Sequence, residues 1–369
     1  MKRVISIILF IVVYTLTVQG CTKKGNEGNS SYVQLTKVSE LDVNITDNTF
    51  GEFLGEIVVD EERGYFYGVD LRARTAYRIS VETGKATSLA PEGRGPRELS
   101  MPVQIAIGEN RIIIYDNSQN VIALHDDKSI IEKFPAYGEH SVWVRGYAGY
   151  VWREKLITSI VDPETVRELN FEEAAPIGIF DYQNNEIETV AHFSPTVDEL
   201  DAEFKYPVIW LDSEEDIVWY MLRADHTLMK YDLDTGETDA IADHKHSKYR
   251  VRSKEVNPGG SSSISAAMEL GTSMSQVIGI NRVENRIIVI WQNFNEGYYE
   301  GRGDDSPGNA DYFGVGYDLT DPDRVIEFDL PGRFLGVYSD QLMIEENMNN
   351  SELVIGFYEL DTITKSAGL

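Results

Sequence analysis

One cysteine in 369 residues leaves no partner for a disulfide within the chain, so a disulfide-stapled fold is excluded. Histidine is scarce too, with six, and no H-E-x-x-H, G-x-S-x-G or P-loop pattern occurs. Basic residues are few: 33 Lys and Arg stand against 61 Asp and Glu, a formal charge of −28. A field of that sign repels nucleic acid and anionic headgroups, so nucleic acid is not expected as a partner. Long amphipathic stretches of helical period are few, which leaves little room for a helical fold.

What the chain has instead is a repeated unit. Residues 111–128, RIIIYDNSQNVIALHDDK, read as an apolar strand, a polar turn, a second apolar strand and a charged exit. Variants recur with Asp/Asn/Gly turns between short strands, as tight antiparallel connections prefer. Six units can be traced, the first five of four strands each. Their second strands begin near Tyr65, Ile112, Leu156, Ile217, Ile287 and Leu342, at spacings of 47, 44, 61, 70 and 55. Runs such as RIIIYD and RIIVIW are apolar on both faces, which fits sheets sandwiched between neighbouring sheets. The third unit is expected to open at 142–145. The sixth has three strands, whereas 32–43 precedes the first unit and belongs to none. Pairing that segment with the last blade would close a ring and remove an open edge. The fold class is therefore all-β: a six-bladed β-propeller with four antiparallel strands per blade, closed by an N-terminal strand.

The address is written in the first residues. Lys2 and Arg3 precede an apolar run over 5–18, the length of a signal-peptide core. It ends at Val18-Gln19-Gly20-Cys21, which is similar to a bacterial lipobox, and the lone cysteine stands where acylation requires it. Residues 1–20 are read as a lipoprotein signal peptide, 21–31 as a flexible Gly/Asn/Ser-rich tether, and 32–369 as the propeller. Acylated Cys21 would hold the protein at a membrane surface without spanning it. Loss of Lys2 and Arg3 takes the formal charge to −30. By resemblance to lipoprotein sorting signals, Thr22 disfavours inner-membrane retention, and the periplasmic face of the outer membrane is expected.

Gly93-Arg94-Gly95-Pro96-Arg97-Glu98-Leu99-Ser100-Met101-Pro102 joins the first unit to the second. Here the chain resembles six-bladed propeller lipoproteins of Bacteroidota, related to NHL and TolB-like propellers. They carry G-x-G-P-x-E followed by an aromatic residue and a proline at an inter-blade turn. Gly93, Gly95, Pro96, Glu98 and Pro102 match; Arg97 replaces a common glycine and Leu99 a common aromatic residue. The resemblance implies a structural turn, and it implies no activity.

Propeller ligands usually meet the connectors between blades and between second and third strands. Those connectors carry Arg72 and Arg74, Arg94 and Arg97, Asp116 and Asn117, Asp225 and His226, and Gln292 and Asn293. The four arginines can bind a carboxylate or phosphate by forked contacts, or they can pair with neighbouring acids. Asp243-His244-Lys245-His246 is the densest imidazole cluster. With no third ligand it reads as a solvated loop, and no metal or cofactor is expected. Asp304-Asp305 and 318–323 lack the spacing of a calcium loop. Insertions occupy 162–175, 244–275 and 293–311. The expected protein is a monomeric, lipid-anchored envelope module that binds a small molecule, peptide or protein. The alternative is a lyase- or lactonase-like propeller enzyme with its site at the channel mouth.

Overall fold

The computed structural model describes residues 30–45, 54–70, 73–108, 111–126, 128–135, 143–144, 148–161, 175–196, 206–251, 273–295, 310–349 and 352–361. Cys21 and Arg72 fall outside these residues, as does most of each insertion. The described part is all-β, with 26 strands. No helix among the described residues is long and apolar enough to cross a membrane.

Two N-terminal strands, β1 (Ser31–Tyr32) and β2 (Leu35–Ile45), precede a series of antiparallel meanders. The first is β3 (Leu54–Asp60), β4 (Tyr65–Asp70), β5 (Thr75–Ser80) and β6 (Lys85–Ser88). The second is β7 (Pro102–Ile107), β8 (Ile112–Asp116), β9 (Val121–His125) and β10 (Ile130–Pro135). Next come the short β11 (Trp143–Val144), then β12 (Ala148–Trp152), β13 (Lys155–Val161), β14 (Ile177–Asp181) and β15 (Glu186–Val190). A further meander is β16 (Pro207–Asp212), β17 (Ile217–Leu222), β18 (Thr227–Asp232) and β19 (Thr238–Asp243). It leads to β20 (Gln276–Val283), β21 (Arg286–Phe294), β22 (Ala310–Asp318) and β23 (Val325–Leu330). The last strands are β24 (Arg333–Tyr338), β25 (Gln341–Asn349) and β26 (Glu352–Leu360).

The burial pattern explains why the second strands look apolar throughout. All of β8 is buried, as is β21 beyond its first residue, because both faces of each sheet pack on a neighbour. Ile112, Ile114 and Ala123 meet Tyr67, Val69 and Ala76 of the first meander. Ile113 and Leu124 meet Leu156 and Phe180, and Ile157 and Ile179 meet Val218 and Tyr220. Trp219 and Met221 meet Val289 and Trp291, while Ile288 and Ile290 meet Leu342 and Ile344. Met343 and Ile355 of the last strands then pack on Phe66 and Ile79 of the first meander. Each such side chain, fully removed from water, contributes about 2 kcal/mol. The fold is propeller-like: successive sheets stacked face to face.

The pairings depart from the sequence reading in two places. The third meander opens on β12, and Trp143–Val144 instead forms a short extra pairing on β13. β12 turns into β13 through Arg153 and Glu154, both at positive φ (47° and 62°), the geometry of a tight two-residue hairpin turn. Neither residue is a Gly or Asn, so the turn gave no sequence signal. Nor are the sheets all four-stranded. β7 pairs in parallel with β12 and β2 with β6, and these links merge meanders into sheets of eight and nine strands.

The N-terminal strands lie along outer edges. β2 pairs antiparallel with β26, from Leu35↔Leu360 to Val43↔Leu353. Its end, Asn44 and Ile45, pairs in parallel with Lys85 and Ala86 of β6, and β1 pairs in parallel with β23. Turns between first and second strands also hold one another. Arg153 reaches Asp216 at 3.1 Å and Arg282 reaches Asp212 at 3.0 Å. The Glu284 N–H donates to Asp340 at 2.7 Å, and the Ser339 N–H donates to Glu61 at 2.7 Å.

Candidate functional site

The candidate site is the end of the sheets where first strands begin and second strands stop. Asp116 closes β8, is fully buried, and gathers its surroundings. It accepts from the Ser100 N–H at 2.5 Å, the Met101 N–H at 3.3 Å, and the backbone and side-chain amides of Gln119 at 3.0 and 2.9 Å. It thereby ties the connector from β6 to β7 onto the turn from β8 to β9.

That connector is the turn carrying the glycine motif. Its backbone folds back on itself through Gly93 N–H to Leu99 O at 2.8 Å and Leu99 N–H to Pro91 O at 3.0 Å. The Glu98 carboxylate accepts from the Gly95 N–H at 2.8 Å. Gly93 sits at φ +153°, and a Cβ there would lie 2.0 Å from Glu98 Oε2, so only glycine fits. Leu99 is fully buried beneath the turn, and Pro102 is buried at the start of β7. Lys133, on β10, donates from its ammonium to Gly95 O at 2.9 Å, Glu98 O at 2.6 Å and Gln119 Oε1 at 3.0 Å. Partial burial pulls the Lys133 pKa down, and the charges of Asp116 and Glu98 offset this only in part.

Arg94 and Arg97 project from this braced turn. Both are exposed, and neither forms an ion pair with a described residue. Arg74, exposed at φ +52°, stands on the connector from β4 to β5 in the neighbouring meander. The structure thus places Arg94 and Arg97 together on one turn, with Arg74 on a separate loop.

The acids and amides expected at this end serve the scaffold. Asp225 is fully buried and accepts from the Ser194 hydroxyl, Thr196 Oγ1 at 2.8 Å and the His226 N–H at 2.7 Å. It holds the connector into β16 just as Asp116 holds the connector into β7. His226 Nε2 lies 2.9 Å from Asp243, and its ring meets Tyr249 edge-on at 5.6 Å. Asn293 accepts from Ser275 Oγ at 2.6 Å and donates to Lys248 O at 3.0 Å. Gln292 is buried opposite Gln276.

The His244–His246 stretch is not a solvated loop. His246 is buried, stacks at a tilt on Phe313 with centroids 4.6 Å apart, and accepts from the Lys248 N–H through Nδ1 at 3.0 Å. His244 Nε2 lies 2.9 Å from Glu327 Oε1, and His246 Nε2 lies 3.6 Å from Glu327 Oε2. Burial holds the His246 pKa below its usual value, against the pull of Glu327 and Asp329. Burial of Glu327 opposes its ionisation, yet hydrogen bonds from His244 and Ser247 outweigh that and keep its pKa low. His244 and the strand glutamate Glu327 form a latch beside the buried His246. Among the described residues no group of three His, Cys, Asp or Glu is arranged to hold a metal.

Sequence reasoning passed over Arg223, which directly follows β17 and is bonded to Gln276 and Tyr206. Its signal, an arginine immediately after a buried second strand, was legible. What the guanidinium would touch was not.

No protein-family model matches the chain. No curated protein matches it either. Among solved structures it is similar to a member of the DUF4221 family from Bacteroides vulgatus ATCC 8482, at TM-score 0.66 and 11% identity. That match covers 89% of this chain and 98% of the other. A protein from Bacteroides fragilis NCTC 9343 matches at TM-score 0.57 and 14% identity, over 91% of this chain and 97% of the other. At these identities the likeness is one of fold.

Proposed function

We propose that the protein is a six-bladed β-propeller of the cell envelope that acts as a binding module for an anionic small molecule, peptide or protein partner. Packing of the last strands on the first meander supports six blades. The pairing of β2 with β26 supports closure of the ring by the N-terminal strand. Lipid attachment at Cys21, on an outer membrane and facing the periplasm, rests on the leader sequence. The similar B. fragilis protein is described as exported, which accords with that address.

The observation that carries the binding reading is Arg94 and Arg97. The turn that presents them is locked by Glu98, Gln119 and Lys133, whereas their own guanidinium groups are left unpaired among the described residues. A scaffold built only for stability would pair those cations, as Arg153 and Arg282 are paired. Pre-ordering the turn lowers the entropic cost of gripping a carboxylate or phosphate. Arg74, exposed on the neighbouring connector, would extend the basic rim. Acidic sugars, acidic peptides and inorganic phosphate should be screened by thermal shift against wild type and the Arg94→Ala/Arg97→Ala protein. At least one anion should stabilise the wild type and not the double variant. Equal responses, or none, would overturn the assignment of these arginines.

A further inference from the structure

We infer a second oxyanion seat at Arg223, between the meanders β16–β19 and β20–β23, independent of Arg94 and Arg97. The guanidinium is half-buried and fixed at both ends of its side chain. Its backbone N–H donates to Tyr206 O at 3.1 Å, and its backbone carbonyl accepts from the Val277 N–H at 2.6 Å. These two bonds place Arg223 in the seam between the starts of β16 and β20. At its tip, Nε donates to Gln276 Oε1 at 3.0 Å and one Nη donates to the Tyr206 hydroxyl at 2.5 Å. The guanidinium also lies over the Tyr206 ring, 5.3 Å from its centroid.

All of these partners are neutral. Arg63, Arg153, Arg282, Arg286 and Arg333 each have a carboxylate within ion-pair distance, and Arg223 has none among the described residues. The nearest acid in sequence, Asp225, is committed to Ser194, Thr196 and the His226 N–H. A guanidinium has five N–H donors in a planar fork, and two are used here. Among the described residues, both N–H groups of the second Nη and one of the first remain for an acceptor. With no counter-ion among the described residues, a half-desolvated cation is costly, and a carboxylate or phosphate oxygen pair would remove that cost with the geometry arginine suits best. Gln276 and Tyr206 set the plane of the fork before any ligand arrives, so little side-chain entropy is lost on binding.

The class of ligand is thus an oxyanion with two coplanar acceptor oxygens, such as a carboxylate. Acetate, malonate and inorganic phosphate would be titrated into the full chain, with the 15Nε resonance of Arg223 and the thermal midpoint as readouts. At least one should shift the Arg223 resonance with saturation. Arg223→Gln should weaken that ligand at least tenfold, and Gln276→Leu, which keeps the cation, should weaken it severalfold. The second variant guards against misfolding of the first. Arg94→Ala/Arg97→Ala should leave the Arg223 response intact. Loss in that double variant with retention in Arg223→Gln would overturn this seat and leave the proposed arginine rim standing. A silent Arg223 resonance with all three anions would overturn it as well.

Discussion

The connectors into β7 and into β20 meet one requirement with different chemistry. Each must cross from one meander to the next while keeping buried backbone groups satisfied. The connector into β7 gathers its carbonyls on the Lys133 ammonium and its amides on Asp116 and Glu98. The connector into β20 folds His244 and His246 onto Glu327, and its Lys248 reaches Asp329 at 2.6 Å. No imidazole enters the first clasp, where burial lowers the Lys133 pKa against the charges of Asp116 and Glu98. The second is built on imidazoles, and burial holds His246 below its usual pKa. A response to mild acid through a histidine is therefore expected beside β23 and not around Arg94 and Arg97.

The largest effect should come from removing the shared anchor. Asp225→Ala removes the fully buried acceptor shared by the Ser194 and Thr196 hydroxyls and the His226 N–H. A loss of about 3 kcal/mol is expected in urea unfolding with an unchanged slope. Asp116→Ala should cost a similar amount, and a loss below about 1 kcal/mol at either site would break the equivalence of the two connectors.

A smaller effect separates them. Lys133→Met takes the charged donor from Gly95 O and Glu98 O and leaves them only longer bonds from the Glu98 N–H and Gln119, at an expected cost of about 1 kcal/mol. Amide exchange should quicken over residues 93–101 and stay unchanged over 244–250. Loosening of both segments would show that the clasps are not independent.

The smallest effect is the pH dependence. Burial depresses the His246 pKa below the ordinary 6.5, so on acidification the unfolded chain takes up the proton first. The stability this neutral imidazole contributes is complete above about pH 6.5 and is lost as pH falls through the lower folded value. The groups facing it work in both directions. Glu327 and Asp329 favour the protonated form, while Lys248 and His244 oppose it. Stability should therefore fall as pH is lowered from about 7.5 to 5.5. His246→Gln should flatten that slope and Lys133→Met should not. An unchanged slope in His246→Gln would remove the histidine from the account.

Much of the architecture was legible because burial on both faces writes continuous apolar runs, as in Ile112–Asp116 and Ile217–Leu222. The missed start of the third meander traces to Arg153 and Glu154, which adopt positive φ without the residues that signal it. The parallel links of β7 to β12 and of β2 to β6 could not be read. Local periodicity says which face a residue takes, and it is silent about which distant edge lies alongside. The same limit applies at the candidate site. The sequence reads Asp116, Asp225 and Asn293 as connector residues; Asp116 and Asn293 instead lie within β8 and β21, and all three spend hydrogen bonds on the scaffold, which no local pattern announces. His246 read as solvated because its neighbours are polar, and only the fold brings Phe313 and Glu327 against it.

The pairing of β2 with β26 sets a timetable. Leu35 is paired opposite Leu360, so one of the earliest stretches of this fold to be synthesised waits for one of the last. Until β26 emerges, the apolar residues Leu41 and Val43 have no sheet to join, and the outer edge of β6 lacks the end of β2. Meanders in between can form as they appear, since each closes on local contacts. The final step is a long-range capture that no partial chain can make. During synthesis the chain must therefore carry an unpaired strand until its last strand appears.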